Sequence, residues 1–264
     1  VQILRVLSNT PLQINVDFVR IHANESKHTP KEHLDNFYRM FDDIKDTQYD
    51  GLIVTGAPLA LMDYEKVTFW DKICEVFDWA EKNVTSTMFS CWAAHAALYH
   101  HYGLNRHLRK KKLSGVFQHS PVDPKEQLTR GFEEFFNVPH SRYGYIEKSD
   151  YLSVPSLKII AESAQAGVYV VASKNKQQVY LTGHPEYDAT TLDEEFRRDL
   201  TVDENAPQPE NYYIDNDVQK VPHSSWRSHG SLLFTNWLNY YVYQITPYKS
   251  DATNIQAIHP DTQI

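Results

Sequence analysis

Two apolar runs of strand length, "GLIVTG" (51–56) and "TSTMFS" (85–90), each lead through a short connection into a segment of helical periodicity. The first enters "YEKVTFWDKICEVFDWAEKN" (64–83), where Val67, Trp70, Ile73, Cys74, Phe77 and Trp79 recur at helical spacing. The second enters "WAAHAALYHHYG" (92–103), which ends on Gly103, a residue suited to a helix C-cap. A continuous apolar strand followed by a helix is the unit of a parallel sheet whose two faces are both covered. The pattern therefore predicts an α/β fold with a mostly parallel sheet and helices on both faces.

The rest of the chain fills out that frame. "INVDFVRI" (14–21) reads as a strand and "PKEHLDNFYRMFDDI" (30–44) as a helix. After Lys112 come closely spaced strands, "KLSGVFQ" (112–118), "SLKIIAES" (156–163), "GVYVVAS" (167–173) and "QQVYLTG" (177–183), with "KNKQ" as a hairpin connection between the last two. Helices are expected over "TLDEEFRRDL" (191–200) and "SLLFTNWLNYYVYQI" (231–245). The opening "VQILRVLSN" looks like the middle of a helix, so an upstream segment is expected. The boundaries are one domain over 1–246 and a polar C-terminal tail over 247–264.

Two cysteines in 264 residues leave no disulfide framework, which suits a reducing cytoplasm. No run approaches the length that spans a bilayer. The net charge of −8 argues against nucleic acid as the main partner, since phosphate binding needs a basic face. One basic run, "RHLRKKK" (106–112), reads as a solvated helix exit or as a contact for a phosphorylated cofactor.

Three places carry chemistry. Cys91 stands on the turn from strand to helix, followed by the small residues Ala93 and Ala94, where a positive helix end favours a thiolate. An inert buried cysteine remains the alternative there, as it is the better reading for Cys74 in its apolar stripe. His184 and Glu186, in "VYLTGHPEYD", follow a strand and can work together at its end, the carboxylate orienting the imidazole. The Gly56–Ala57 turn, with the Trp92 amide, can aim N–H groups into the same crevice as an oxyanion hole. No histidine or cysteine spacing marks a metal site.

The order of a "VTGAP" turn, a cysteine elbow and "GHPE" resembles the class I glutamine amidotransferase-like fold, a flavodoxin-like three-layer arrangement. Longer segments, "DGLIVTGAPL", "FSCWAAHAALYHHYGL", "LTRGFEEFFNVPHSRY" and "SWRSHGSLLFTNWLNYYVYQITPY", are similar to the homoserine O-acyltransferase family across nearly the whole chain. The resemblance implies a ping-pong transfer from acyl-CoA, with Cys91 carrying the acyl group, His184 as base and Glu186 supporting it. No tightly bound cofactor is expected. It further implies substrate binding by Lys112, Ser141 and Arg198, with Arg198 suited to an amino-acid carboxylate and Glu195 to the ammonium group. A homodimer is compatible with it.

Ala60 stands where the family associates glutamate with acetyl-CoA and glycine with succinyl-CoA, and its small neutral side chain leans towards succinyl. His95, where glutamine is usual, and Gly144 also depart from the family pattern. Serine is homoserine shortened by one methylene, a difference worth only about 1–3 kcal/mol, so a serine O-acetyltransferase of cysteine synthesis is the second hypothesis. A glutaminase or cysteine hydrolase on the same scaffold is the third, and a non-catalytic binding protein the fourth.

Overall fold

The computed structural model describes residues 1–21 and 37–247. Its main sheet runs in the order β3-β4-β9-β8-β7-β5-β6, with β3 Tyr49–Val54, β4 Val84–Ser90, β5 His107–Pro121, β6 Phe136–Tyr145, β7 Leu157–Ser163, β8 Gly167–Ser173 and β9 Gln178–Leu181. Two short strands, β1 Phe18–Arg20 and β2 Tyr38–Met40, pair in parallel as a separate ribbon. The helices are α1 Gln2–Leu7, α2 Trp70–Asn83, α3 Trp92–Tyr102, α4 Lys148–Leu152, α5 Thr191–Leu200 and α6 Arg227–Trp237, the last continuing as a π-helical turn over Leu238–Tyr243.

The α/β class stands, but the sheet is mixed. Pairing is parallel for β3–β4 and β4–β9, and antiparallel for the four remaining pairs. The physical reason is connection length: β8 and β9 are joined by a tight hairpin, and a parallel pair would need a crossover. The parallel third is the part that carries Cys91.

Strand β4 is buried along both faces, and its alternation divides the core. Phe89 packs with Phe77 of α2 and Leu98 of α3, while Met88 joins Leu233, Phe234 and Trp237 of α6 on the opposite face. Helix α3 is buried on every side from Trp92 to Leu98, because four alanines let its backbone close onto the sheet. Gly103 ends it in the left-handed conformation at φ 67°. Cys74 lies half-buried beside this core, and burial pushes its thiol up to about 11.

Three sequence expectations change. The helix expected over 30–44 lies outside the described residues up to 36, and 38–43 form β2 and a 3-10 turn instead. Within 14–21 only Phe18–Arg20 is a strand. The basic run 106–112 opens β5 instead of leaving a helix: its partner β6, unread in the sequence, supplies the ladder that cations alone do not announce. Strand β6 hides because Pro139 interrupts it, which is tolerated on an edge strand.

Helix α6 contributes a contact that reaches the site. A Cβ on Gly230 would sit 2.3 Å from the Pro185 carbonyl oxygen. Gly230→Ala should therefore destabilise the protein by about 1–3 kcal/mol through overpacking, although alanine is the better helix former by about 1 kcal/mol. Urea denaturation checks the sign.

Candidate active site

Cys91 caps α3 with φ 52° and ψ −113°, a conformation that costs a non-glycine residue energy and turns its side chain out of the strand line. The elbow is held from two sides. The Cys91 N–H donates to the Leu181 carbonyl at 2.7 Å, tying β4 to β9. Gly56 fills the other side: a Cβ there would lie 3.2 Å from the Ser90 oxygen, 3.3 Å from Cys91 Cβ and 3.4 Å from the Trp92 nitrogen. The turn after β3 thus abuts the Trp92 amide at the first turn of α3, as an oxyanion hole requires. Ala57, one residue on, is half-buried.

His184 and Glu186 follow β9 and are both buried. His184 Nδ1 lies 2.8 Å from Glu186 Oε1, and its ring stacks on Tyr187 at 4.2 Å between centroids. Burial disfavours a charge on this ring, yet Cys91 and Glu186 outweigh it, by charge and by hydrogen bonding, and raise its pKa well above the ordinary value. The loop is pinned from outside. Arg5 of α1 donates to the Glu186 carbonyl at 2.7 Å and pairs with Asp188 at 2.9 Å, and the His184 N–H donates to the Pro139 carbonyl at 2.9 Å.

The substrate residues expected from the resemblance converge, with one exception. Ser141 of β6 donates to Glu195 of α5, Tyr187 donates to the same carboxylate at 2.8 Å, and Lys112 of β5 lies 3.7 Å from it while pairing with Asp199 at 2.6 Å. Tyr187 joins this cluster to His184. Arg198 stands apart: its side chain is 65% exposed and, among the described residues, meets only Asp199, at 3.4 Å. Ala60 is half-buried on the loop after β3, and Met62, two residues on, accepts from Arg106 through its carbonyl. The α5 helix is fixed by the segment behind it, where Tyr213 donates to Asp193 at 2.6 Å and Trp226 donates to the Tyr187 carbonyl at 3.0 Å.

Sequence reasoning missed Arg142, His140 and His119. Arg142 Nε must donate, so His140 Nδ1 accepts at 3.2 Å; His140 Nε2–H then donates to His119 Nε2 at 3.1 Å, and His119 Nδ1–H to the Phe117 carbonyl at 2.8 Å. Both rings are neutral in this chain, and burial holds His119 down to about 4 and His140 well below its ordinary value. Alternate polar residues in "VPHSRY" hinted at His140 and Arg142, and nothing in "VFQHSP" singled out His119. His95 is buried one turn beyond Cys91, held down to about 3 by burial and by Arg142 and Arg106, and Gly144 lies against its ring. Among the described residues no group of three or more His, Cys, Asp or Glu could hold a metal, and no helix is long and apolar enough to cross a membrane.

A cysteine on a strained strand-to-helix elbow in the parallel part of a mixed sheet, faced by a carboxylate-held histidine, defines a glutamine amidotransferase-like α/β protein. Solved structures show the same fold. The chain matches a glutamine amidotransferase from Methylobacillus flagellatus with TM-score 0.55 and 13% identity, covering 85% of this chain and 94% of that one. A glutamine amidotransferase from Thermotoga maritima gives 0.52 and 13%, over 84% and 95%. Sequence comparison goes further. The sequence model of the homoserine O-succinyltransferase family matches residues 1–248. A homoserine O-succinyltransferase of Pseudoalteromonas atlantica is 58% identical over 94% of this chain and 80% of its own length, and one of Tolumonas auensis is 52% identical over 100% and 84%. The chain belongs to the homoserine O-succinyltransferase family.

The buried histidines set the pH dependence of stability. His95, His101, His119 and His140 have folded pKa values below the unfolded one, so the unfolded chain binds more protons as pH falls beneath about 6.5. Each costs about 1.4 kcal/mol per pH unit until its folded pKa is reached. His184 has the opposite sign: its stabilisation is complete below about 6.5 and is lost as pH rises through its raised folded pKa. Stability should therefore peak near neutrality, and Glu186→Gln should show its largest deficit near pH 6, shrinking towards alkaline pH. Urea titrations at a series of pH values measure both slopes.

Proposed function

We propose that this protein transfers an acyl group from acyl-CoA to the side-chain hydroxyl of L-homoserine, with succinyl as the donor group, in methionine synthesis. The observation that carries the reading is the Cys91 elbow facing His184 and Glu186 in a chain 52–58% identical to homoserine O-succinyltransferases. The Cys91 thiolate attacks the thioester carbonyl, the carbon–sulfur bond to CoA breaks, and CoA leaves with the proton that His184 carries. The homoserine hydroxyl then gives its proton to His184 and attacks the acyl-enzyme, expelling Cys91. The developing oxyanion in each half-reaction would be met at the Gly56–Ala57 turn and the Trp92 amide.

The acceptor fits the cluster beside Tyr187. Glu195, reached by Ser141, Tyr187 and Lys112, would take the ammonium group, and Arg198, exposed one helical turn on, is free to swing onto the carboxylate. Two free thiols and the lack, among the described residues, of a membrane-crossing helix support residence in the cytoplasm.

The deciding assay is CoA release over acetyl-CoA or succinyl-CoA against L-homoserine or L-serine. Turnover is expected with succinyl-CoA and homoserine, and Cys91→Ala should abolish it. Turnover with serine alone would instead make the product a precursor of cysteine, and release of ammonia from glutamine without CoA would mark a glutaminase. Arg198→Ala should raise the KM for homoserine by roughly 10-fold or more while leaving acylation of Cys91 by donor alone intact, as intact-protein mass spectrometry would show.

A further inference from the structure

A cavity of about 470 Å³ opens between the start of α4 and the turn after β7, lined among others by His95, Arg109, Arg142, Glu147, Lys148 and Glu162. Its charges are sorted by depth. The acidic residues belong to the mouth: Glu147 is exposed, and Glu162 is already paired with Lys148 at 2.7 Å. The inner wall is His95, Arg142 and Thr182, each less than 5% exposed. That wall flanks the nucleophile on both sides in the chain. The His95 N–H bonds to the Cys91 carbonyl at 3.3 Å, and Thr182 follows Leu181, whose carbonyl holds the Cys91 N–H.

The charge on that inner wall is the Arg142 guanidinium, since burial holds His95 down to about 3 and Thr182 is neutral. A guanidinium has five N–H groups; Arg142 uses three, on His140 Nδ1 at 3.2 Å, the Gly144 carbonyl at 2.5 Å and the Ala166 carbonyl at 2.6 Å, so two remain. All three partners are neutral. Arg109 donates to the Ala166 carbonyl at 3.4 Å and lies over the Tyr145 ring at 5.0 Å, its Nε is buried without a hydrogen-bond partner, and His95 Nε2 is likewise buried and unpartnered among the described residues. Neither arginine has a carboxylate within ion-pair distance among those residues. A buried cation left unpaired is costly, and such a site is stabilised when an anion enters it.

We infer that this cavity is the acyl pocket, and that Arg142 and Arg109 bind the distal carboxylate of a dicarboxylic acyl donor whose thioester carbonyl lies at Cys91. This rests on the acyl-CoA reading above and extends it, because it names a positive determinant for a succinyl group where Ala60 only removes an obstacle. The Ala60 loop is connected to the same place: Arg106, which donates to the Met62 carbonyl, passes against Gly144, and Gly144 lies against the His95 ring.

The experiment compares succinyl-CoA with butyryl-CoA, which keeps the chain length and loses the charge, in the first half-reaction without acceptor. Cys91 acylation is followed by intact-protein mass spectrometry. Arg109 is the variant of choice because it is only half-buried, whereas Arg142 is bonded into the fold. Arg109→Met should lower the succinyl-to-butyryl ratio of acylation rates by roughly 10-fold or more, and Arg109→Lys should restore most of it. An unchanged ratio, with both donors slowed alike, would overturn the assignment while leaving the acyltransferase intact. A ratio unchanged in acylation together with a raised KM for homoserine would give the cavity to the acceptor carboxylate and likewise overturn it. Failure of the unsubstituted protein to acylate Cys91 with either donor would overturn the proposed function itself, and this inference with it.

Discussion

The backbone of Cys91, forced to φ 52° where β4 becomes α3, is the constraint around which the neighbouring segments are fitted. A cysteine does not hold that conformation by itself. It is held because its N–H is claimed by the Leu181 carbonyl and because the turn at Gly56 leaves no room for the chain to relax. Both restraints come from strands adjacent to β4 in a parallel arrangement, which brings three strand ends to one rim. The same hydrogen bond that fixes the elbow fixes β9, and with β9 the height at which His184 emerges. Cys91 and His184 are thus positioned by one piece of sheet rather than by two loops.

His184 illustrates how many distant segments are needed to fix a single proton. Glu186 orients the ring, Tyr187 stacks on it, Pro139 of β6 takes its backbone N–H, and Arg5 from the first helix holds the carbonyl of Glu186. Gly230 allows α6 to touch Pro185 directly. Each contact removes a freedom the loop would otherwise have, so the imidazole is held in place beside Cys91.

The Arg142–His140–His119 chain works by a different principle. An arginine at the centre of a fold is tolerable only if its donors are satisfied, and here neutral acceptors satisfy part of them while leaving its charge uncancelled. The chain also fixes the tautomer of both histidines, since a guanidinium can only donate. A positive charge is thereby kept within electrostatic reach of Cys91.

What the sequence determined by itself is local and periodic. Apolar runs of strand length, helical spacing in 64–83, small residues after Cys91 and Gly103 at the end of α3 each report one residue's demand on its near neighbours, and the elements they predict are found, with α2 starting at Trp70 after a 3-10 turn over Tyr64–Lys66. The motifs also named Cys91, His184, Glu186, Lys112, Ser141 and Glu195; the fold sets Glu186 against His184 and brings Ser141 and Lys112 to Glu195, while Arg198 stays at the surface. Tertiary structure alone decided the rest. The run at 106–112 looks like a helix exit until β6 pairs with it, the sheet looks mostly parallel until hairpin connections set four of its pairings antiparallel, and Arg142, His140 and His119 look like scattered polar residues until β5 and β6 lie side by side. Strand pairing and buried charge depend on which residues meet across neighbouring strands, and periodicity, which senses only the next turn or the next pleat, holds no record of that.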